Sequence, residues 1–481
     1  MNEKLSYVKR EDRKKILLLC DDIRLHSGIA TMAREIVIQT AHHFNWINLG
    51  GAMNHPEDKK GFDLSDDVNN QIGIEDSSVK LYATTGYGTA DIVRELMRTE
   101  KPDAILHFTD PRYWAWLYDI EREIRQTTPL YYLNIWDDYP APLYNKAYYE
   151  CCDLLMGISK QTVNINHLVL GELAKDKLIK YVPHGINTDY FFPITPESKN
   201  YNSFLEVKSK LFEGRDIEFV VFWNSRNIRR KSPGDVILAY RQFCDQIGKE
   251  KAKKCALVMH TQPIDQNGTD LYAVREALCD PEYVNVFFSS NRLGTEQMNY
   301  LYNLADVTML ISSNEGWGLS LTESMMSGTM IIGNVTGGMQ DQMRFVDDKG
   351  EWYTPSFEVP SNHMATYLEH GEWAVPVFPS NISLVGSVPT PYIFDDRCDF
   401  RDIADAIQQV YQMPKEERDR RGVAGRNWAM SDEAMMSAES MGKNIADCIN
   451  EAFVHFVPRS KYDLIKIENM PAKYVNHPIV Y

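Results

Sequence analysis

Positive charge is scarce in this chain: 51 lysines and arginines stand against 67 aspartates and glutamates, a formal net charge of −16 over 481 residues. So acidic a chain is poorly suited to a broad nucleic-acid footprint or to general attraction by anionic lipid, and any such role would need a local basic patch. The eight cysteines (Cys20, Cys151, Cys152, Cys244, Cys255, Cys279, Cys398 and Cys448) include no Cys-x-x-Cys pair. That argues against a zinc site or a disulfide framework and for reduced thiols in the cytoplasm. No apolar run reaches the ~20 residues of a transmembrane helix, and the stretch from Lys9 to Lys15 is too charged for a secretory signal. A three-glycine dinucleotide fingerprint is missing too, with Gly28 standing alone after the first strand-like run. What remains is an ordinary soluble composition, 44% hydrophobic and 25% charged, in a chain longer than one core usually supports. Two domains are expected.

The most informative stretch runs Ser313-Asn314-Glu315-Gly316-Trp317-Gly318-Leu319-Ser320-Leu321-Thr322-Glu323. An apolar, β-branched run over 307–311 precedes it and a helical pattern follows until Gly328, so a strand, a glycine-bearing turn and a helix are expected. Free amides and a partial positive charge at a helix N-terminus make such a turn a natural anion site, with Gly316 and Gly318 allowing close approach of a diphosphate. Glu315 and Glu323 would both face a cleft at the carboxyl edge of the sheet. The plainer alternative is that Ser320 and Glu323 form a capping box and Trp317 is core.

With Ser327-Gly328-Thr329-Met330-Ile331-Ile332 and Gly337-Gly338 added, this stretch resembles the signature of retaining GT-B glycosyltransferases of family 4. Trp317 stands where that family usually has Phe, and Met330 where it has Pro. The resemblance implies that Glu315 meets donor-sugar hydroxyls and Glu323 the ribose. It extends over Trp223-Asn224-Ser225-Arg226-Asn227-Ile228-Arg229-Arg230-Lys231-Ser232-Pro233, where the family holds the donor diphosphate with an Arg and a Lys. Arg226 and Lys231 match best, with Arg230 behind them and Asn224 beside them; a solvated basic loop is the alternative. Ser232 reads as an N-cap with Pro233 at the first helical position. Asn291 and Arg292 fall in the loop that meets the nucleotide base in the family, and Gly28 in the turn lining the cleft.

In the first half, strand-like and helix-like runs alternate, with strands over 16–20, 79–83, 104–108, 130–135 and 154–158 and helices between, including one over 114–124. This rhythm indicates a doubly wound parallel sheet. Two strand ends are polar, His107-Phe108-Thr109-Asp110 and Trp136-Asp137-Asp138. The family often carries a His facing the sugar at the first of these; here Thr109 or Asp110 falls there and His107 earlier. Asp110 is placed slightly ahead of His107, against a turn-forming Asp and a buried His as plain alternatives. Pro183-His184-Gly185-Ile186-Asn187 through Pro193 resembles the segment that closes the family's first domain, so His184 and Asn187 are expected at the cleft, with a packed aromatic turn as the alternative.

A second set of strands is expected over 217–222, 256–259, 284–288, 307–311 and 330–332, then a proline- and aromatic-rich break over 344–397, and helices over 403–413, 415–430 and 438–454. The expected division is 1–195 as an acceptor-side Rossmann-like domain, 196–445 as a nucleotide-sugar domain carrying the 344–397 insertion, and 446–481 as a crossing helix and tail. The fold class expected is α/β GT-B. The resemblance implies metal-independent, retaining transfer of a sugar from a nucleoside-diphosphate sugar to an acceptor hydroxyl on a glycan or glycoconjugate, with no further cofactor. Rival readings are a nucleotide-sugar epimerase, a catalytically inactive nucleotide-sugar-binding protein, and glycosylation of a modified DNA base, the last ranked low by the acidic balance. The acceptor-side candidates are His107, Asp137, Asp138 and His184; the catalytic ones are Glu315, Asp110, Arg226 and Lys231.

Overall fold

The computed structural model describes residues 5–462, so the expected tail over 463–481 lies outside the described residues. The first lobe is an eight-stranded sheet. Its strands are β1 (Lys14–Asp21), β2 (Phe44–Met53), β3 (Gly61–Asp63), β4 (Val79–Thr85), β5 (Ala104–His107), β6 (Leu130–Asn134), β7 (Leu154–Gly157) and β8 (Leu178–Tyr181). They lie in the order β3-β4-β2-β1-β5-β6-β7-β8, all parallel except β3 against β4. A parallel strand covered on both faces needs a continuous apolar run rather than alternation. Ile16, Leu17, Leu18, Leu19 and Cys20 meet that need and are all fully buried, each leucine contributing roughly 1.5–3 kcal/mol. The single helix expected over 114–124 is instead a 3-10 turn, Pro111–Trp114, and two short helices, Ala115–Asp119 and Glu121–Ile124. Ile120, at φ −104° and ψ 11°, breaks the run between them.

The second lobe is a six-stranded, all-parallel sheet of β9 (Phe219–Asn224), β10 (Cys255–His260), β11 (Val286–Ser289), β12 (Val307–Leu310), β13 (Met330–Asn334) and β14 (Ala374–Val377), ordered β11-β10-β9-β12-β13-β14. The break in rhythm over 344–397 therefore hides a sheet strand, β14. It also holds an antiparallel hairpin of β15 (Asn381–Val385) and β16 (Ile393–Arg397). After two helices, Phe400–Gln412 and Lys415–Ala429, the chain returns to the first lobe. There Ile186 exchanges backbone hydrogen bonds with Met436 and Ala438 of the crossing segment (Ile186 N–H to Met436 O, 2.9 Å; Ala438 N–H to Ile186 O, 3.0 Å). Helix Ala438–His455 then packs on the first-lobe helix Gly28–Thr40. No helix among the described residues is long and apolar enough to cross a membrane.

Candidate functional site

The carboxyl ends of β9 and β12 are neighbours in the second sheet, and the loops that leave them carry the central charges. Helix Leu319–Met326 begins directly after Gly318, whose φ of 92° is a left-handed conformation that a side chain would strain. Gly318 is thus the N-cap, and Ser320 lies inside the first turn with no capping bond. The expected Ser320–Glu323 capping box is not formed. Glu323 instead accepts a hydrogen bond from the Tyr302 hydroxyl, which in turn accepts one from Asn224 Nδ2 at 2.8 Å. Burial pushes the Glu323 carboxyl up to about 6, and the Tyr302 bond partly offsets the rise.

Glu315 sits in the turn before this helix, nearly buried, and the Lys231 ammonium lies directly against its Oε2. Arg230 completes the cluster, 3.4 Å from Glu315 Oε2, 3.6 Å from Asp137 Oδ2 and donating to Asn314 O at 2.7 Å. Burial, helped by neighbouring Arg230, pulls Lys231 below the usual lysine range, and Asp137 opposes the shift. The loop is pinned by a backbone bond from Ser313 N–H to Arg230 O, 2.7 Å. Ser232 stands at the head of helix Pro233–Ile247 as expected, but at φ 49° and ψ 43° its side chain makes no capping bond. A left-handed non-glycine residue beside a buried cation is strain of the kind found at functional sites, about 1–3 kcal/mol.

Arg226 does not join the cluster. Its side chain is 64% exposed and pairs with Asp265 at 3.0 Å, whereas Arg230, placed behind it in the family match, is the arginine that stands beside Lys231 and Glu315. A Cβ at Gly316 would stand 2.7 Å from Ile135 O and 3.1 Å from Asp137 Oδ1, so the bare backbone there admits the facing lobe. Trp317 is core, its indole N–H donating to Thr322 Oγ1 at 3.0 Å. Gly28 comes within reach of the same turn, since a Cβ there would meet Leu319 Cδ1 at 3.5 Å. Asn291 and Arg292 lie exposed after β11.

On the first lobe the polar strand ends divide. His107 is fully buried, hydrogen-bonded through Nδ1 to the Tyr118 hydroxyl at 2.8 Å and stacked on Tyr132; burial holds it neutral, near 3. It points into the core, so the plain alternative holds for His107. His184 is also buried and held near 3, edge-on to Phe108 and Trp317. Asn187 turns under the first helix, donating to Glu35 Oε2 at 3.3 Å. Asp110 opens the 3-10 turn, accepting from Arg112 N–H at 3.0 Å, and its carboxylate is paired to the Arg112 guanidinium. Asp137 faces Arg230, as above. Asp138 is fully buried, accepting from Gln161 Nε2 at 2.9 Å, and burial beside Asp396 pushes it well above the carboxylate range.

A pocket of about 370 Å³ opens among Asp110, Arg112, Trp136, Asp137 and Arg230, with the β15–β16 turn on its far side. Arg112, Arg229, Tyr302 and Asp395 join this candidate site through their contacts and were not singled out from the sequence. Asp395 carried the best signal, an acidic pair with Asp396 inside an apolar stretch; the others needed the fold.

Residues 216–358 match the family model for glycosyl transferases group 1. That segment holds Arg230, Lys231, Glu315, Tyr302 and Glu323. No curated protein compared with the chain matches it. Among solved structures, HepE from Anabaena, in complex with UDP and glucose, is 14% identical with a TM-score of 0.62, covering 91% of this chain and 100% of its own. Sucrose-phosphate synthase from Thermosynechococcus elongatus is 15% identical with a TM-score of 0.62, over 92% and 100%. A glycosyltransferase from Rickettsia africae is 14% identical with a TM-score of 0.60, over 92% and 99%. At these identities the likeness is one of fold, and the fold is GT-B: two Rossmann-like parallel-sheet lobes.

Proposed function

We propose that the chain is a glycosyltransferase of the family 4 type, moving a sugar from a nucleoside-diphosphate donor to an acceptor hydroxyl with retention of anomeric configuration. The observation that carries the reading is the cluster of Lys231, Arg230 and Glu315, which lies inside the segment matching glycosyl transferases group 1. A nucleoside diphosphate gains negative charge as its glycosidic bond breaks, and fixed cations in a closed cleft meet that charge without reorganisation. In this reading Arg230 and Lys231 hold the diphosphate and no divalent ion is needed. Glu315, released from Lys231 as the phosphates take over the ammonium, orients the sugar, and Glu323 holds the ribose from its Tyr302 anchor. The UDP and glucose of HepE are a reason to begin with UDP-sugars. Eight unpaired thiols fit a reducing compartment, and we place the reaction in the cytoplasm.

The test is mass spectrometry after incubation with a panel of nucleotide-sugars and saccharide acceptors. A product heavier than the acceptor by one sugar is expected. Release of nucleotide with an isomerised sugar would support an epimerase instead, and nucleotide binding with no turnover would support an inactive binding protein.

A further inference from the structure

The β15–β16 hairpin belongs to the second lobe by sequence, yet it is fastened to both. On its own side, Asp396 N–H donates to Ser313 O at 2.8 Å, and the Asp395 carboxylate pairs with Arg229 while accepting from Ser313 Oγ at 3.0 Å. Across the cleft, Phe394 N–H donates to Tyr139 O at 2.7 Å and the Tyr144 hydroxyl donates to Tyr392 O at 2.9 Å. The tip, residues 386–390, is held differently. Its internal bonds run between Ser387 and Thr390, Val388 at its apex is 98% exposed, and Arg112 reaches it by donating to Pro389 O and Thr390 Oγ1. The tip therefore covers the 370 Å³ pocket, with Arg112 as its catch.

The pocket floor is Asp137 and Arg230, the two groups that lead directly to Glu315 and Lys231. Its walls offer carboxylates, guanidinium donors and the Trp136 side chain. Arg112 is already paired with Asp110, Arg229 with Asp395, and Arg230 is the cation given above to the donor diphosphate, so none is left over for an anionic acceptor. Interleaved donors and acceptors instead suit hydroxyls, which do both. The volume lies at the small end of the ~300–1,000 Å³ range for small-molecule sites. A pocket of that size, with the hairpin tip along one side, suits a small saccharide or the end of a chain better than a ring-closed glycan or duplex DNA.

We propose that this pocket is the acceptor site, that it takes a neutral saccharide end, and that the tip over it, latched by Arg112, shuts water out during transfer. The proposal rests on the glycosyltransferase reading above. The step itself breaks the anomeric carbon–oxygen bond to the diphosphate, forms one to the acceptor oxygen, and passes the hydroxyl proton to the departing phosphate oxygen. Water admitted beside an opened tip would take the acceptor's place and give free sugar.

The experiment is hydrogen exchange over residues 381–397 of the full chain, with UDP and one of four probe sets: neutral monosaccharides and linear disaccharides, their phosphorylated forms, cyclic glucans, or duplex DNA carrying hydroxymethylcytosine. A parallel assay follows nucleotide-sugar hydrolysis in the wild type, Arg112→Ala and Arg112→Lys. Neutral, end-bearing saccharides are expected to slow exchange of the segment several-fold. Arg112→Ala is expected to raise the ratio of hydrolysis to transfer several-fold at unchanged UDP affinity, with Arg112→Lys partly restoring it. No slowing by any neutral saccharide, equal slowing by cyclic, phosphorylated or DNA probes, or an unchanged ratio in Arg112→Ala would each overturn the proposal while leaving transfer itself intact. A wild type that neither binds nucleotide nor turns over any nucleotide-sugar would instead overturn the underlying reading, and this proposal with it.

Discussion

The Lys231 ammonium rests on the Glu315 carboxylate, and both side chains are only 11% exposed. Each is the other's main charge partner in a cleft where neither has water to fall back on. Removing Glu315 leaves the Lys231 ammonium buried without its nearest carboxylate, which costs about 3 kcal/mol or more, whereas removing Lys231 leaves Glu315 only the longer pair with Arg230 at 3.4 Å. Lys231→Met and Glu315→Gln alone are therefore expected to lose stability. The double variant should recover most of it without recovering turnover, since the proposed reaction uses both groups. Urea denaturation of the three variants with parallel kinetics checks this. Additive stability losses in the double variant would show that the two do not act as a pair.

The two arginines separate cleanly. Arg230 faces Glu315 and Asp137 in the cleft, whereas Arg226 stands in solvent against Asp265. Arg230→Ala is expected to weaken nucleoside-diphosphate binding about tenfold and to slow turnover further, because the charge it meets grows in the transition state. Arg226→Ala loses an exposed pair and should change affinity by less than about 1 kcal/mol. Calorimetric titration with UDP distinguishes them, and a larger loss in Arg226→Ala would favour the assignment that the family resemblance implies. Turnover of the wild type is expected to persist in EDTA.

The placement of these two arginines marks where sequence stops. Trp223 to Pro233 reads plainly as a strand, a basic loop and a proline-opened helix, because those signals are local. Which cation turns inward is decided by the bond from Ser313 N–H to Arg230 O, between residues eighty-three positions apart. The continuous apolar strands were legible for the same local reason, and β2 was not. Its apolar run is interrupted by Asn48, fully buried and donating to Leu18 O at 3.2 Å, a partner only the folded sheet supplies. The hairpin was illegible because its bonds go to the other lobe, to Tyr139 and Tyr144.

Glu323 should make stability depend on pH in a defined window. Its folded carboxyl lies near 6, against 4.5 for the free group, so the native state holds the proton more tightly than the unfolded chain. Below about pH 4.5 both states are protonated and there is no penalty. Between 4.5 and 6 the unfolded state ionises first, and stability is lost as pH rises, by roughly 1–2 kcal/mol in all. Glu323→Gln removes this term, so its stability relative to wild type should improve between pH 4.5 and 7. Parallel urea midpoints at the two pH values test it; a constant difference would mean the carboxyl is not raised. Glu323→Ala should raise the donor KM, and with no cap to lose its cost in stability comes from leaving the Tyr302 hydroxyl without its acceptor.

Gly316 sets how closely the lobes meet. A methyl group there would stand 2.7 Å from Ile135 O, well inside contact distance, and the obstacle is backbone just past the end of β6 rather than a side chain that could turn away. Gly316→Ala must therefore displace the facing loop that carries Asp137 or tilt the first lobe away from the turn that carries Glu315. Either movement separates groups that converge on one sugar in the proposed reaction, and a displacement of about 1 Å at a reacting centre can cost about 100-fold in rate. Nucleotide affinity should change far less, because Arg230, Lys231 and Glu323 all belong to the second lobe and move together. The expected signature is a large fall in turnover, near-normal UDP binding and a larger radius of gyration by X-ray scattering. Full turnover in Gly316→Ala would mean that the lobes react across a wider gap than the one seen here, and that Asp137 is not needed beside Glu315.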